Sequence, residues 1–160
     1  MPDGWEWITE IAEARSQDPD AAPERVTDLI RRNRDVRHAS IFFATVRARM
    51  VDAISAFNET ASETIRFSVS GDPARVEQPL MFRREGPRHA WMEVTHSATL
   101  MTVASGWRND QRRQADVMWQ DDGRNQVVHR HNQNGEVVAY STQSVETLVR
   151  DLLEEFVKSA

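Results

Sequence analysis

The chain contains no cysteine and only one lysine, Lys158. Without thiols there can be no disulfide framework, no thiolate metal site and no cysteine nucleophile. The same absence fits a reducing compartment. Tyrosine is as scarce as lysine, with Tyr140 alone. No apolar run approaches the roughly 20 residues of a membrane-spanning helix. The start, Met1-Pro2-Asp3-Gly4-Trp5, is acidic, where a secretory signal begins basic and turns apolar. These absences lead to the expectation of a cytoplasmic protein with no membrane partner. There is no phosphate-binding glycine loop, no His-Glu-x-x-His, no Gly-x-Ser-x-Gly and no zinc-finger spacing. The common nucleotide, metalloprotease and hydrolase readings fall away, and no cofactor is expected.

What is present is globular. The chain has 160 residues, of which 39% are hydrophobic and 28% charged. That suits one folded domain spanning residues 1–160. Every basic residue except Lys158 is arginine. Either a GC-rich genome explains this, or selection for planar, bidentate recognition of carboxylate or phosphate.

The net charge of -5 is unevenly distributed. Residues 1–30 hold eight acids and two bases, residues 31–134 twelve acids and sixteen bases, and residues 135–160 five acids and two bases. Acidic ends therefore flank a basic middle. Acidic helices lying against a basic sheet would explain this within the molecule. An arginine surface for an anionic partner is the alternative. Because the chain is acidic overall, the reading is against nucleic acid, and Arg31, Arg32, Arg34 and Arg37, with Arg47 and Arg49 further along, are expected to form a solvated helix face.

Helical spacing opens the chain. Trp5 to Ala14 reads as a short helix with Asp3 as cap and Trp5, Ile8, Ile11 and Ala12 on one stripe, so residues 1–22 form an acidic helix and loop. Pro23 suits the first turn of the next helix. A helical layer covers residues 23–60, with either a turn at Arg31–Asp35 or a continuous helix. Its most periodic part runs from Val36 to Thr60, where Val36, Ala39, Phe43, Val46, Met50, Ile54 and Phe57 form an apolar stripe. Such a helix could cradle a sheet or pair with its copy in a homodimer.

Residues 64–141 then change to a period of two. Ile65, Phe67 and Val69 alternate with polar residues, and further strands follow at Leu80–Arg83, Ala90–Thr95, Ala98–Ala104, Arg113–Gln120, Arg124–His131 and Glu136–Ser141. Their spacing is too short for crossover helices, so the sheet should be antiparallel. Ser144 caps a closing core helix at 144–158 whose apolar face is Val145, Leu148, Val149, Leu152, Leu153, Phe156 and Val157. The expected class is α+β: an antiparallel meander of about seven strands with N-terminal helices and a C-terminal helix packed on the sheet. In element order alone, residues 64–160 resemble a pleckstrin-homology-like barrel. An open curved sheet wrapping the long helix is the alternative.

One polar constellation follows from hairpin register. With Asp122-Gly123 and Asn134-Gly135 as two-residue turns, Asp116 faces His129, His131 faces Val138 and His129 faces Tyr140. Asp116, His129, His131 and Tyr140 then share one face. A carboxylate, two imidazoles and a phenol could hold a divalent metal or perform acid–base work. A polar outer face is the plainer explanation. Trp91, Met101, Trp107 and Arg108 are the candidates for a ligand or partner surface. The leading expectation is a non-enzymatic binding or interaction module with a protein partner or homodimer, with a small ligand also considered. The alternative is a small hydrolase, lyase or metal-binding protein using the Asp/His/His/Tyr cluster.

Overall fold

A computed structural model describes residues 4–107, 112–119, 126–131, 137–142 and 144–160, with 126–131 and 137–142 described by backbone alone. Three helices, α1 (Glu6–Gln17), α2 (Pro23–Thr60) and α3 (Val145–Ser159), flank an antiparallel sheet. The α+β class and the placement of helices at both ends are those expected from the sequence. The chain divides into two compact units, residues 1–38 and 39–160.

In the first unit, α1 accompanies the opening turns of α2. Its small core is Ala14, Ala21, Val26 and Leu29, with Ile30 packed against it. The expected stripe on α1 is not the buried one. Trp5 and Ile8 are 60% and 43% exposed. Polar contacts set the rotation of the helix instead. The Glu10 carboxylate lies between Arg34 and Arg37, and Arg15 Nη1 donates to Ala21 O at 2.6 Å. That puts Glu10 and Ala14, one turn apart, on the inner side. Pro23 opens α2 as its first residue. The helix continues through Arg31–Asp35 without a turn.

In the second unit, α2 buries Ala39, Phe43, Val46, Met50 and Ile54, the stripe expected from the spacing. Phe42, Val51 and Phe57 widen it as half-buried neighbours. After a 3-10 turn at Glu63–Ile65, the first strand β1 is only Ser68–Ser70. The expected alternation from Ile65 is cut short by Asn58 of α2. Its Nδ2 donates to Phe67 O at 2.8 Å and its Oδ1 accepts from Phe67 N at 2.9 Å. Both backbone groups of Phe67 are thereby satisfied by a helix side chain, and its ring is buried.

The strands β2 (Leu80–Arg84), β3 (Ala90–Ser97), β4 (Leu100–Trp107) and β5 (Arg112–Met118) follow β1 as an antiparallel meander. Backbone ladders continue it to β6 (Gln126–His131) and β7 (Val137–Thr142). β3 runs through His96-Ser97, where a break was expected. Ser97 pairs with Leu100, leaving Ala98-Thr99 as a two-residue turn with Ala98 at φ 51°. Among the described residues no ladder joins β7 to β1.

Register assigns the two faces. Leu80, Val94, Val103 and Ala115 occupy one row, and Phe82 and Met92 share a second. All are buried in one core with the α2 stripe and with Leu148, Val149, Leu152, Leu153 and Phe156 of α3. The Ser144 hydroxyl accepts from Thr147 N at 3.4 Å, a weak N-terminal cap. Burying the α3 residues contributes on the order of 10 kcal/mol before ordering costs. Both helices thus pack on one face of the sheet. The other face carries Met81, Arg83, Trp91, Glu93, Thr95, Thr102, Gln114 and Asp116, none of them fully buried.

Candidate functional site

The first predicted hairpin has the expected register: Asp116 pairs with His129 and Met118 with Val127. On the same row Thr102 pairs with Asp116, and its hydroxyl donates to Asp116 Oδ1 at 3.1 Å. Gln114 Nε2 donates to the same oxygen at 3.2 Å. The second hairpin is one residue out. His131 pairs with Val137, His129 with Ala139, and Tyr140 with Val128. Tyr140 therefore leaves the row of Asp116 and His129. Val137 and Ala139 move in the opposite sense. The cause is parity. Residues 132–136 separate the paired His131 and Val137, an odd number, whereas a two-residue turn flanked by regular pairs leaves an even one. The side chains of His129, His131 and Tyr140 lie outside the described residues, as does Arg108. Among the described residues no group of three or more His, Asp or Glu side chains is arranged to hold a metal.

The predicted partner surface is also divided. Met101 is fully buried and Trp107 is 8% exposed, so both are core residues and not a surface. Met101 shares a row with Val117 beneath the helices, and the Trp107 ring packs 5.9 Å from that of Phe156. Trp91 is on the opposite face and half-buried. It pairs with Gly106, and a Cβ added there would lie 2.5 Å from Trp91 Nε1 and 2.7 Å from Cε2. The indole therefore lies against Gly106, and a Cβ there would force it to shift. Arg83 pairs with Trp91 from β2, and Arg112 pairs with Gly106 from β5. One row across four strands thus reads Arg83, Trp91, Gly106, Arg112.

A second feature lies between the helices of the 39–160 unit. Ala53, Ile54 and Phe57 of α2 and Val149, Leu153 and Val157 of α3 line a groove of about 440 Å³. Its rim charges satisfy one another. Lys158 Nζ is 3.1 Å from Glu154, Arg150 is 3.4 Å from the same carboxylate, and Arg49 clasps Glu146 at 2.9 and 3.2 Å. The two ammonium and guanidinium partners hold the Glu154 carboxyl below its usual range. With its rim neutralised, the groove presents an apolar strip.

Two arginines are buried: Arg47, expected on the solvated helix face, and Arg84, which the sequence reading did not single out. Arg47 is wholly buried and Arg84 is 5% exposed. Arg47 Nη2 donates to Asp72 O at 3.1 Å and Arg75 O at 3.2 Å, pinning the β1–β2 loop to α2. Burial lowers its pKa, opposed by the charges of Glu77 and Asp72. Arg84 donates to Arg88 O and Ile65 O and lies 5.0 Å over the Phe67 ring. The signal for Arg47 was present in part: it falls one turn after Phe43 on the buried stripe, in a place that polarity alone assigns to solvent.

No family model, no curated protein and no solved structure matches this chain.

Proposed function

We propose that this chain is a non-enzymatic interaction module that receives an apolar segment of a protein partner in the groove between α2 and α3. The observation that carries the reading is the strip Ala53, Phe57, Val149 and Val157 between two helices, with its rim charges already paired. Such a rim gives a charged ligand little to bind, while the apolar floor rewards an apolar one. The cytoplasm suits a chain with no cysteine. A second copy of the chain is one partner that fits the proposal, through the long helix α2.

The acid–base alternative has lost Tyr140 from its face, and its remaining support is the register that sets His129 opposite Asp116 and His131 opposite Gln114 on that face.

The test is titration of an amphipathic, leucine-rich helical peptide, followed by amide chemical shifts and by sedimentation of the protein alone. Shifts should be confined to the groove, and Ala53→Glu, at an exposed position, should remove them without lowering the melting temperature. Concentration-dependent dimerisation abolished by Ala53→Glu would identify the second copy as the occupant. Shifts that lie elsewhere, or that persist in Ala53→Glu, would refute the groove.

A further inference from the structure

We propose, resting on the reading of the α2–α3 groove as an apolar docking site, that its occupant is helix α1 of a second copy of this chain. Trp7, Ile8 and Ile11 are the side chains that enter. On α1, Trp7 is 54% and Ile8 43% exposed, and Ile11 is half-buried. Ile11 follows Trp7 by four residues and Ile8 by three, so the three share one side of the helix. Glu6, Glu10 and Glu13, also at helical spacing, occupy another side. Rotation of α1 is fixed within the first unit by Ala14 in the small core and by Glu10 between Arg34 and Arg37. The large apolar side chains exposed in the second unit, Ile41, Val69 and Met118, stand on three different elements. On α1, by contrast, Trp7 and Ile8 share one turn and make a patch. A helix with apolar anchors three and four residues apart is the ligand that a groove between two helices accepts.

Charge fits the same pairing. At the groove, Arg150 and Lys158 hold Glu154, and Arg49 holds Glu146. On α1, Glu10 is held by Arg34 and Arg37, and Glu13 by Arg37. Each surface thus brings charges that are already paired, and an apolar ligand is what each is left to bind. The lining of the groove comes from α2 and α3 alone, with no α1 residue in it. The areas set the form of the assembly. Since one aromatic side chain buries 150–250 Å² when fully covered, the three on α1 offer roughly 200–250 Å². Counted on both partners, one contact comes to about 500 Å², too little for specific association, whereas two reciprocal contacts reach about 1,000 Å², the threshold of a weak one. The expected assembly is therefore a weak two-fold dimer in which each α1 enters the other copy's groove.

The experiment uses the full chain. Sedimentation over a concentration series should show a weak dimer. Trp7→Ala should raise its dissociation constant at least about tenfold, as loss of a tryptophan anchor does, and Trp7→Phe should keep most of the affinity. Positions 7 and 53 are exposed, so neither Trp7→Ala nor Ala53→Glu should lower the melting temperature. Mixing the two variants assigns the occupant. Isotope-labelled Trp7→Ala keeps an intact groove, and unlabelled Ala53→Glu keeps an intact α1. Adding the second to the first should shift the amides of residues 53–57 and 149–157, and adding unlabelled Trp7→Ala instead should leave them in place. Shifts in both mixtures, or in neither, would overturn the proposal. So would a parent that stays monomeric at every concentration, or a dimer equally stable in Trp7→Ala. If the leucine-rich peptide shifts the groove and the Ala53→Glu chain does not, the groove reading stands and α1 is not its occupant.

Discussion

Replacing Arg47 separates what its charge contributes from what its volume contributes. The side chain is wholly buried beside Phe43, Val46 and Met50 on the inner face of α2. Its three-methylene stem packs as an apolar residue, while its guanidinium holds two carbonyl oxygens of the β1–β2 loop. Nε and Nη1 find no acceptor among the described residues. Burying a cation costs several kcal/mol, and the downward pull on its pKa has the same origin. Two bonds from a charged donor to backbone carbonyls return about 1.5–3 kcal/mol each. The two contributions nearly cancel. Arg47→Met keeps most of the volume and removes the charge, so its stability should stay within about 1 kcal/mol of the parent, as for buried ionic groups replaced by apolar ones. Arg47→Ala opens a cavity beneath α2 and should cost about 2–5 kcal/mol. Urea unfolding followed by circular dichroism measures both. In Arg47→Met the lost carbonyl bonds should instead appear locally, as faster amide exchange and proteolysis at residues 71–79. If Arg47→Met proves as damaging as Arg47→Ala, the charge and not the volume holds the helix, and the reasoning fails.

Leu152→Ala or Leu153→Ala should each cost about 2–5 kcal/mol in the same assay, and deletion of residues 144–160 should leave a chain that no longer melts cooperatively. Hydrogen bonding from Arg34 holds the Glu10 carboxyl below its usual range, assisted by the charges of Arg34 and Arg37 and opposed by desolvation. A carboxyl with a depressed folded pKa stabilises fully above its unfolded pKa, and that stabilisation is lost as pH falls through the folded one. Amide protection in α1 should therefore differ between the parent and Glu10→Gln at neutral pH, and the difference should vanish in acid. Removing residues 1–22 frees Arg34 and Arg37 from Glu10 and Glu13, so heparin retention should rise and become more salt-sensitive; identical elution profiles would count against this shielding.

The parts of the fold legible in the sequence are those where one periodicity dominates. The α2 stripe at Ala39, Phe43, Val46, Met50 and Ile54 and the α3 face from Leu148 to Phe156 are buried as their spacing dictates. Counting outward from Asp122-Gly123, which lies outside the described residues, anticipated the pairing of Asp116 with His129. What was not legible is where a side chain from elsewhere intervenes. Asn58 takes both backbone groups of Phe67 from the ladder, and no local pattern announces that. Glu10 turns α1 away from its apolar stripe through arginines more than 20 positions later. The β6–β7 register hinged on the parity of a connection, and one residue was enough to remove Tyr140 from the candidate site. Trp91 could be singled out from the sequence, but the glycine and the arginines on its row come from three other strands.

The single lysine has a practical consequence. Lys158 stands on the rim of the α2–α3 groove, with its side chain 72% exposed and its ammonium 3.1 Å from Glu154. Lysine acylation in this chain has one address, and that address is beside the apolar strip. Acetylation would cancel the charge and leave Glu154 to Arg150 alone. An amine-reactive fluorophore attached at the same nitrogen becomes a reporter of groove occupancy without any engineered residue.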